Sequence, residues 1–274
     1  MLHRIIPSSG ELLPVIGLGS WIQFDIASLS PEKPQLLEVL RLMQEAGAKV
    51  IDSSPMYGRS EEMIGELSRQ TERADDFFYA TKVWTTGREA GIRQMKESMQ
   101  KMQRPVMDLF QVHNLVDWKV HLATLRKWKE EGKLRYTGIT HYQTSAHPEL
   151  ERIIQTEQLD FVQFNYSLLT RNAEKRLLPL CADRGVAVLI NEPLEKGRLF
   201  QLIANTPLPP WAIEAGIESW AGFFIQFILS HPAVTCVIPG TSVPLHMRQL
   251  LEAGKKTPLT APIRLQMAAF FNDR

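Results

Sequence analysis

Little in this sequence points to a polyanion, a metal or a membrane as a partner. Its 31 Lys plus Arg are matched by 30 Asp plus Glu, for a formal net charge of +1. With no basic surplus to neutralise phosphates, nucleic acid is not an expected partner. There are two cysteines, Cys181 and Cys236. They lie far apart, match no metal or redox spacing, and read as ordinary buried thiols of a reducing compartment. The seven histidines include no HxH pair, and HExxH, CxxC, P-loop and G-x-S-x-G patterns are all missing, so no metal, phosphate-cradling loop or serine elbow is expected. Gly17-Leu18-Gly19 begins a dinucleotide fingerprint, but position 22 is Ile; a turn where backbone passes closely is the preferred reading. No apolar run approaches a membrane span. The opening MLHRIIPSSGELLPVIGLGS has neither an uninterrupted apolar h-region nor a small-residue cleavage site. The expected location is the cytoplasm, with no membrane partner.

What is present is an alternation. Short apolar runs at 15–18, 49–51, 77–83, 106–113, 134–140, 160–165, 186–190 and 234–238 are each followed by a longer amphipathic stretch. Those stretches lie at 31–46, 60–69, 87–103, 117–131, 146–156, 173–184, 216–229 and 244–253. Near-continuous apolar strands alternating with helices imply a parallel sheet covered on both faces. Eight such units close naturally into a (β/α)₈ TIM barrel of about 250 residues, with a doubly wound open sheet as the competitor. Residues 4–6 and 12–13 flank a turn-rich PSSG and suit an N-terminal hairpin; 261–270 suits an extra C-terminal helix. No linker-like break divides the chain, so residues 1–274 read as one domain. Ser60 followed by Glu61 and Glu62 suits a helix start, acidic groups favouring the positive end of the dipole. The least regular segment is 192–210, with four prolines and Gly197; long loops in compact domains usually carry function.

In a barrel the active site lies at the C-terminal strand ends. The ionisable residues there are Asp52 after strand two, Lys82 near the end of strand three and His113 at the end of strand four; Tyr57 sits five residues past Asp52. Each alone has an ordinary reading: a turn cap, a half-buried ring, a solvated strand end, a core histidine. Together they suit proton donation. A tyrosine is a weak acid with an ordinary pKa of about 10. A neighbouring ammonium favours the phenolate and lowers that value, and a carboxylate holds the ammonium charged. A histidine can orient a carbonyl oxygen or share the proton. Such a set protonates a developing alkoxide, as carbonyl reduction requires.

At these residues the sequence resembles the aldo-keto reductase family. IDSSPMYGRSEEMIGE (51–66) is similar to that family's D-x4-Y-G-x-S-E-x-x-[IL]-G signature. ATKVW (80–84) and DLFQVHN (108–114) resemble its lysine and histidine segments. LPVIGLGSW (13–21), GITHY (138–142), VQFNYS (162–167) and VIPGTS (237–242) are collinear with its other strand ends. The resemblance implies a barrel that binds NADP(H), with NAD(H) not excluded, and passes hydride to a small aldehyde or ketone while Tyr57 gives the proton. It implies Thr140, His141 and Gln163 at the nicotinamide carboxamide. Ser20, Trp21 and Asp52 would lie at the same mouth, and Trp21, Tyr57, Trp84, His113 and Asn114 along the substrate. Asn191, Pro193 and Leu194 follow along the cofactor. Glu195, Lys196 and Arg198 have two readings, contacts to the pyrophosphate or solvated loop charges. Pro239, Gly240, Thr241, Ser242, His246 and Arg248 would meet the adenosine end.

The chain departs from the family's pattern at several positions. His141 stands where many members have Asn, and Asn191 where many have a stacking aromatic, which should weaken stacking. Gly240 and His246 occupy positions expected to be basic, and Gln249 and Leu250 replace an acidic-Asn pair. Thr241, Ser242, Arg248 and the start of the helix near Pro244 are the remaining phosphate-binding candidates, a solvated helix charge being the other reading of Arg248. A preference for NADP(H) is therefore an implication of the family. The chain's end soon after Phe271 leads us to expect a more open pocket, and a monomer or weak homo-oligomer is expected. Two other classes compete with the reductase: a nicotinamide-binding regulatory or sensor subunit with slow catalysis, and a lyase or isomerase using Lys82 as a Schiff-base amine.

Overall fold

The computed structural model describes residues 1–272, with side chains through Phe271. A two-stranded antiparallel hairpin, β1 (His3–Ile5) and β2 (Leu12–Pro14), precedes an eight-stranded parallel sheet. Its strands are β3 (Leu18–Gly19), β4 (Val50–Asp52), β5 (Phe78–Val83), β6 (Met107–His113), β7 (Leu134–His141), β8 (Phe161–Asn165), β9 (Ala187–Asn191) and β10 (Cys236–Val237), neighbours in chain order. Closure comes from the first and last strands. Ile16 bridges Val237 in parallel, and Gly17 and Gly19 donate to the carbonyls of Val237 and Pro239 at 2.8 and 3.0 Å. The eight-unit barrel reading is therefore correct, and the open sheet is not. The glycines also serve as expected: a Cβ on Gly17 would meet the Val50 Cβ at 2.8 Å, and one on Gly19 the Ile238 oxygen at 2.9 Å.

Two packed layers follow from strand alternation. Inward residues of the barrel (Val50, Phe78, Leu109, Phe161, Ala187, Leu189, Cys236) form one core with Ile6 and Leu13, so the hairpin plugs the N-terminal end. Arg4 secures the plug by donating to the carbonyls of Leu229, His231 and Val234. Outward residues pack against helices α1 (Lys33–Ala46), α2 (Ser60–Ser68), α3 (Arg88–Lys101), α4 (Trp118–Glu130), α5 (His147–Thr156) and α6 (Leu177–Arg184). Both cysteines are free and buried.

Segment 192–210 is more ordered than its prolines suggest. A 3₁₀ turn, Glu195–Gly197, leads into α7 (Arg198–Leu202), and α8 (Pro210–Glu214) follows. Leu199 is fully buried, and Phe200 meets Phe224 edge-on; long-range aromatic packing outweighs the local breakers. Residues 216–229 are shorter as a helix than expected. Gly216 adopts φ 82°, and α9 runs only over Trp220–Leu229, capped by the Ser219 hydroxyl accepting from Gly222 N. Next come α10 (Pro244–Ala253) and α11 (Ala261–Asn272). Among the described residues no helix is long and apolar enough to cross a membrane.

Candidate active site

The C-terminal strand ends open into a cleft of about 750 Å³. It runs from Tyr57, His113 and Asn114 at one end, past Trp21, Tyr142, Asn191 and Pro193, to Thr241, His246 and Leu250 at the other. Register sets the inner end. Lys82 pairs with Gln111 across β5 and β6, His113 with Thr140 across β6 and β7, and Thr140 with Gln163 across β7 and β8. Because side chains alternate along a strand, Gln111 and His113 share the inward face.

Asp52 organises this floor. One carboxylate oxygen accepts from Lys82 Nζ at 2.6 Å; the other accepts from Gln163 at 2.9 Å and Gln111 at 3.2 Å. Lys82 is wholly buried, donates also to the Ser53 carbonyl at 2.7 Å, and stands 5.1 Å from the centre of the Tyr57 ring. Burial disfavours its charge most strongly of any single influence, but Asp52, Tyr57 and Glu61 together outweigh it and carry the pKa above the ordinary lysine value. Such an ammonium is not a free nucleophile.

Two findings refine the electrostatics read from the sequence. Lys82 does pull the Tyr57 pKa down, but burial pushes harder and Asp52 and Glu192 add to it, so the hydroxyl sits above its ordinary value. Tyr57 therefore holds its proton at neutral pH. Burial first, and Lys82 second, hold His113 down at about 2, so the imidazole is neutral. Ser54 Oγ lies 2.8 Å from His113 Nδ1 and accepts from Met56 N at 3.4 Å. The hydroxyl proton is then available to Nδ1, an arrangement compatible with the imidazole's own proton on Nε2.

Glu61 stands in the first turn of α2 as expected, and it is buried. It accepts from Thr81 Oγ1 at 2.5 Å, and burial raises its pKa.

The cleft lining includes Ser20, Trp21, Asp52, Tyr57, His113, Asn114, Thr140, Gln163, Asn191, Pro193, Leu194, Pro239, Gly240, Thr241 and His246. Other candidates lie apart from it. Lys82 is beneath the floor. Trp84 touches the site only through His113, with ring centres 6.5 Å apart. His141 stacks on Tyr142 and accepts from Gln143 N through Nδ1. Ser242 and Arg198 are not part of the lining, and Arg248 turns to Glu38 at 3.4 Å.

The sequence reading did not single out Gln111, Gln23, Met56, Tyr142, Glu192 or Phe200. Period-two spacing from His113 was a signal for Gln111; Phe200 had none, since a helix not expected there presents it. Glu192, Glu195 and Lys196 take φ of 48°, 51° and 53°, backbone that non-glycine residues adopt at a cost and that clusters at working sites. Lys196 pairs with Glu192 at 3.0 Å and lies 5.0 Å from the centre of the Trp21 ring.

The residues fit an extended amide-bearing dinucleotide. The Asn114 and Asn191 amide oxygens are buried without a hydrogen-bond partner and belong to residues of the cleft wall. The lack of a side chain on Gly240 also keeps that wall open, for a Cβ there would meet Gln23 Oε1 at 2.9 Å.

Comparison with known proteins agrees. The model of the aldo/keto reductase family matches residues 15–262. The methylglyoxal reductase YeaE of Escherichia coli is 26% identical over 257 residues, 91% of this chain and 88% of that protein. The NADH-specific methylglyoxal reductase of the same organism is 25% identical over 71% of this chain and 68% of its own length. Among solved structures, an aldo-keto reductase from Klebsiella pneumoniae in complex with NADPH superposes with a TM-score of 0.82 at 24% identity, covering 99% of this chain and 96% of that one.

Proposed function

The chain belongs to the aldo/keto reductase family, and we propose that it reduces the carbonyl of a small aldehyde or ketone with NADP(H), Tyr57 giving the proton. The observation that carries the reading is the buried ammonium of Lys82, held by Asp52 at 2.6 Å beneath a protonated Tyr57 at the inner end of the cleft. The reduced nicotinamide, when bound, supplies the hydride. Thr140, Gln163 and Asn191, which line the cleft, would hold its carboxamide; the NADPH complex of the Klebsiella pneumoniae neighbour supports this cofactor.

His113, neutral with its proton on Nε2, donates to the carbonyl oxygen and fixes its direction. As charge develops on that oxygen, Tyr57 transfers its proton, and Lys82 stabilises the phenolate left behind. Asp52 balances Lys82 in the resting site, so this buried pair carries no net charge before the proton is transferred. Trp21, Met56 and Asn114 bound the space above the tetrad and suit a small, largely apolar substrate. Two similar proteins are named methylglyoxal reductases, which makes a small 2-oxoaldehyde a first substrate to try.

The test is the loss of reduced-nicotinamide absorbance across aldehydes, ketones and keto acids. Turnover on several aldehydes is expected. Tight cofactor binding with no turnover on any of them would select the sensor-subunit reading instead. Reductive trapping of a carbonyl compound on Lys82 would select the Schiff-base lyase.

A further inference from the structure

The far end of the cleft is where the adenosine half of a dinucleotide must lie if its nicotinamide meets Tyr57. NADPH differs from NADH only there, by a phosphate dianion in place of a hydroxyl. Of the described residues that line the cleft, Lys196 is the only lysine or arginine. It sits toward the other end, paired with Glu192 and against Trp21 and Tyr142. At the far end the lining offers Thr241, Gln249 and the His246 ring, between Gly240 and Leu250, and no lysine or arginine among the described residues. The Thr241 hydroxyl is already engaged as acceptor of Val243 N at 3.1 Å.

Arg248 is the nearby fixed cation in sequence, and helix geometry turns it away. On α10, His246, Gln249 and Leu250 are spaced three and four apart and face the cleft together. Arg248 projects about 200° around the axis from His246. It meets Glu38 on α1 at 3.4 Å, which also cancels its charge.

We propose that this cleft scarcely discriminates between NADPH and NADH and binds both with affinities within about tenfold of each other. The proposal rests on the reductase reading above. Hydrogen-bonding groups such as those of Thr241 and Gln249 serve a ribose hydroxyl and a phosphate alike. A directed cation–phosphate contact, which would separate the two by about tenfold to a hundredfold, is missing.

Quenching of tryptophan fluorescence on titration with NADPH and with NADH tests this without turnover, since Trp21 lines the cleft. Dissociation constants within about tenfold are expected for the unaltered protein. Arg248→Ala is expected to move neither. His246→Arg, which places a fixed cation on the cleft-facing side of α10, is expected to tighten NADPH by about tenfold or more and leave NADH unchanged. A larger preference for NADPH in the unaltered protein overturns the proposal and leaves the reductase reading standing. So does a selective loss of NADPH affinity in Arg248→Ala, or no gain in His246→Arg. Failure of both dinucleotides to bind overturns the two together.

Discussion

At the inner end of the cleft, Asp52 receives hydrogen bonds from Lys82, Gln163 and Gln111 and none of the four groups is exposed. At the outer end, His246 and Arg248 stand on an exposed helix start, and the ion pair of Arg248 with Glu38 is open to water. The inner end therefore works in a low dielectric, where each charge needs its partner and a lost contact is costly. The outer end is screened, so changing one side chain there alters binding without disturbing the fold.

Lys82→Met should expose this contrast most. It leaves the buried Asp52 carboxylate with only two amide donors. We expect a loss of about 3–5 kcal/mol in stability, measured by denaturant unfolding, together with loss of reduction; stability within about 1 kcal/mol of the parent would mean that the pair is not the keystone described. Tyr57→Phe comes next. It removes only the proton donor, so kcat should fall by about 10²–10⁴ while tryptophan quenching shows unchanged NADPH binding. Retained turnover would move the proton-donor role elsewhere.

His113 links the site to acid stability. Its folded pKa is depressed from 6.5 to about 2. Between those values the unfolded chain binds a proton that the folded chain refuses, so stability falls as pH drops below 6.5. This contribution is up to about 1.4 kcal/mol per pH unit. Thermal unfolding of His113→Gln between pH 4.5 and 7.5 should show a shallower acid decline than the parent; parallel curves would deny the imbalance. Lys196→Met should matter least. Its ammonium is half exposed over Trp21 and Tyr142, so cofactor affinity should change by about 1 kcal/mol or less with no change in unfolding. A larger effect would place Lys196 in direct contact with the dinucleotide.

Legibility in the sequence followed the range of the interactions. The eight strand-and-helix units were visible because periodicity is local. So were Asp52, Lys82 and His113, which end strands, and Gly17 and Gly19, whose close approach the G-x-G spacing suggested. The helices α7 and α8 were hidden because Phe200 and Trp211 pack on Phe224 and Phe223 of the distant α9. Prolines at 207, 209 and 210 argued locally for an irregular loop, which holds for 206–209 but not for the helices on either side.

The sequence by itself determined the eight strand-and-helix units and the residues proposed for the tetrad, since each depends on residue type and spacing. Only the tertiary structure decided the direction of the Tyr57 pKa, the burial of Glu61 and the turn of Arg248 toward Glu38. Those are net outcomes of desolvation against charge, or of one helix's rotation against another. They are sums over neighbours that no local stretch of chain contains.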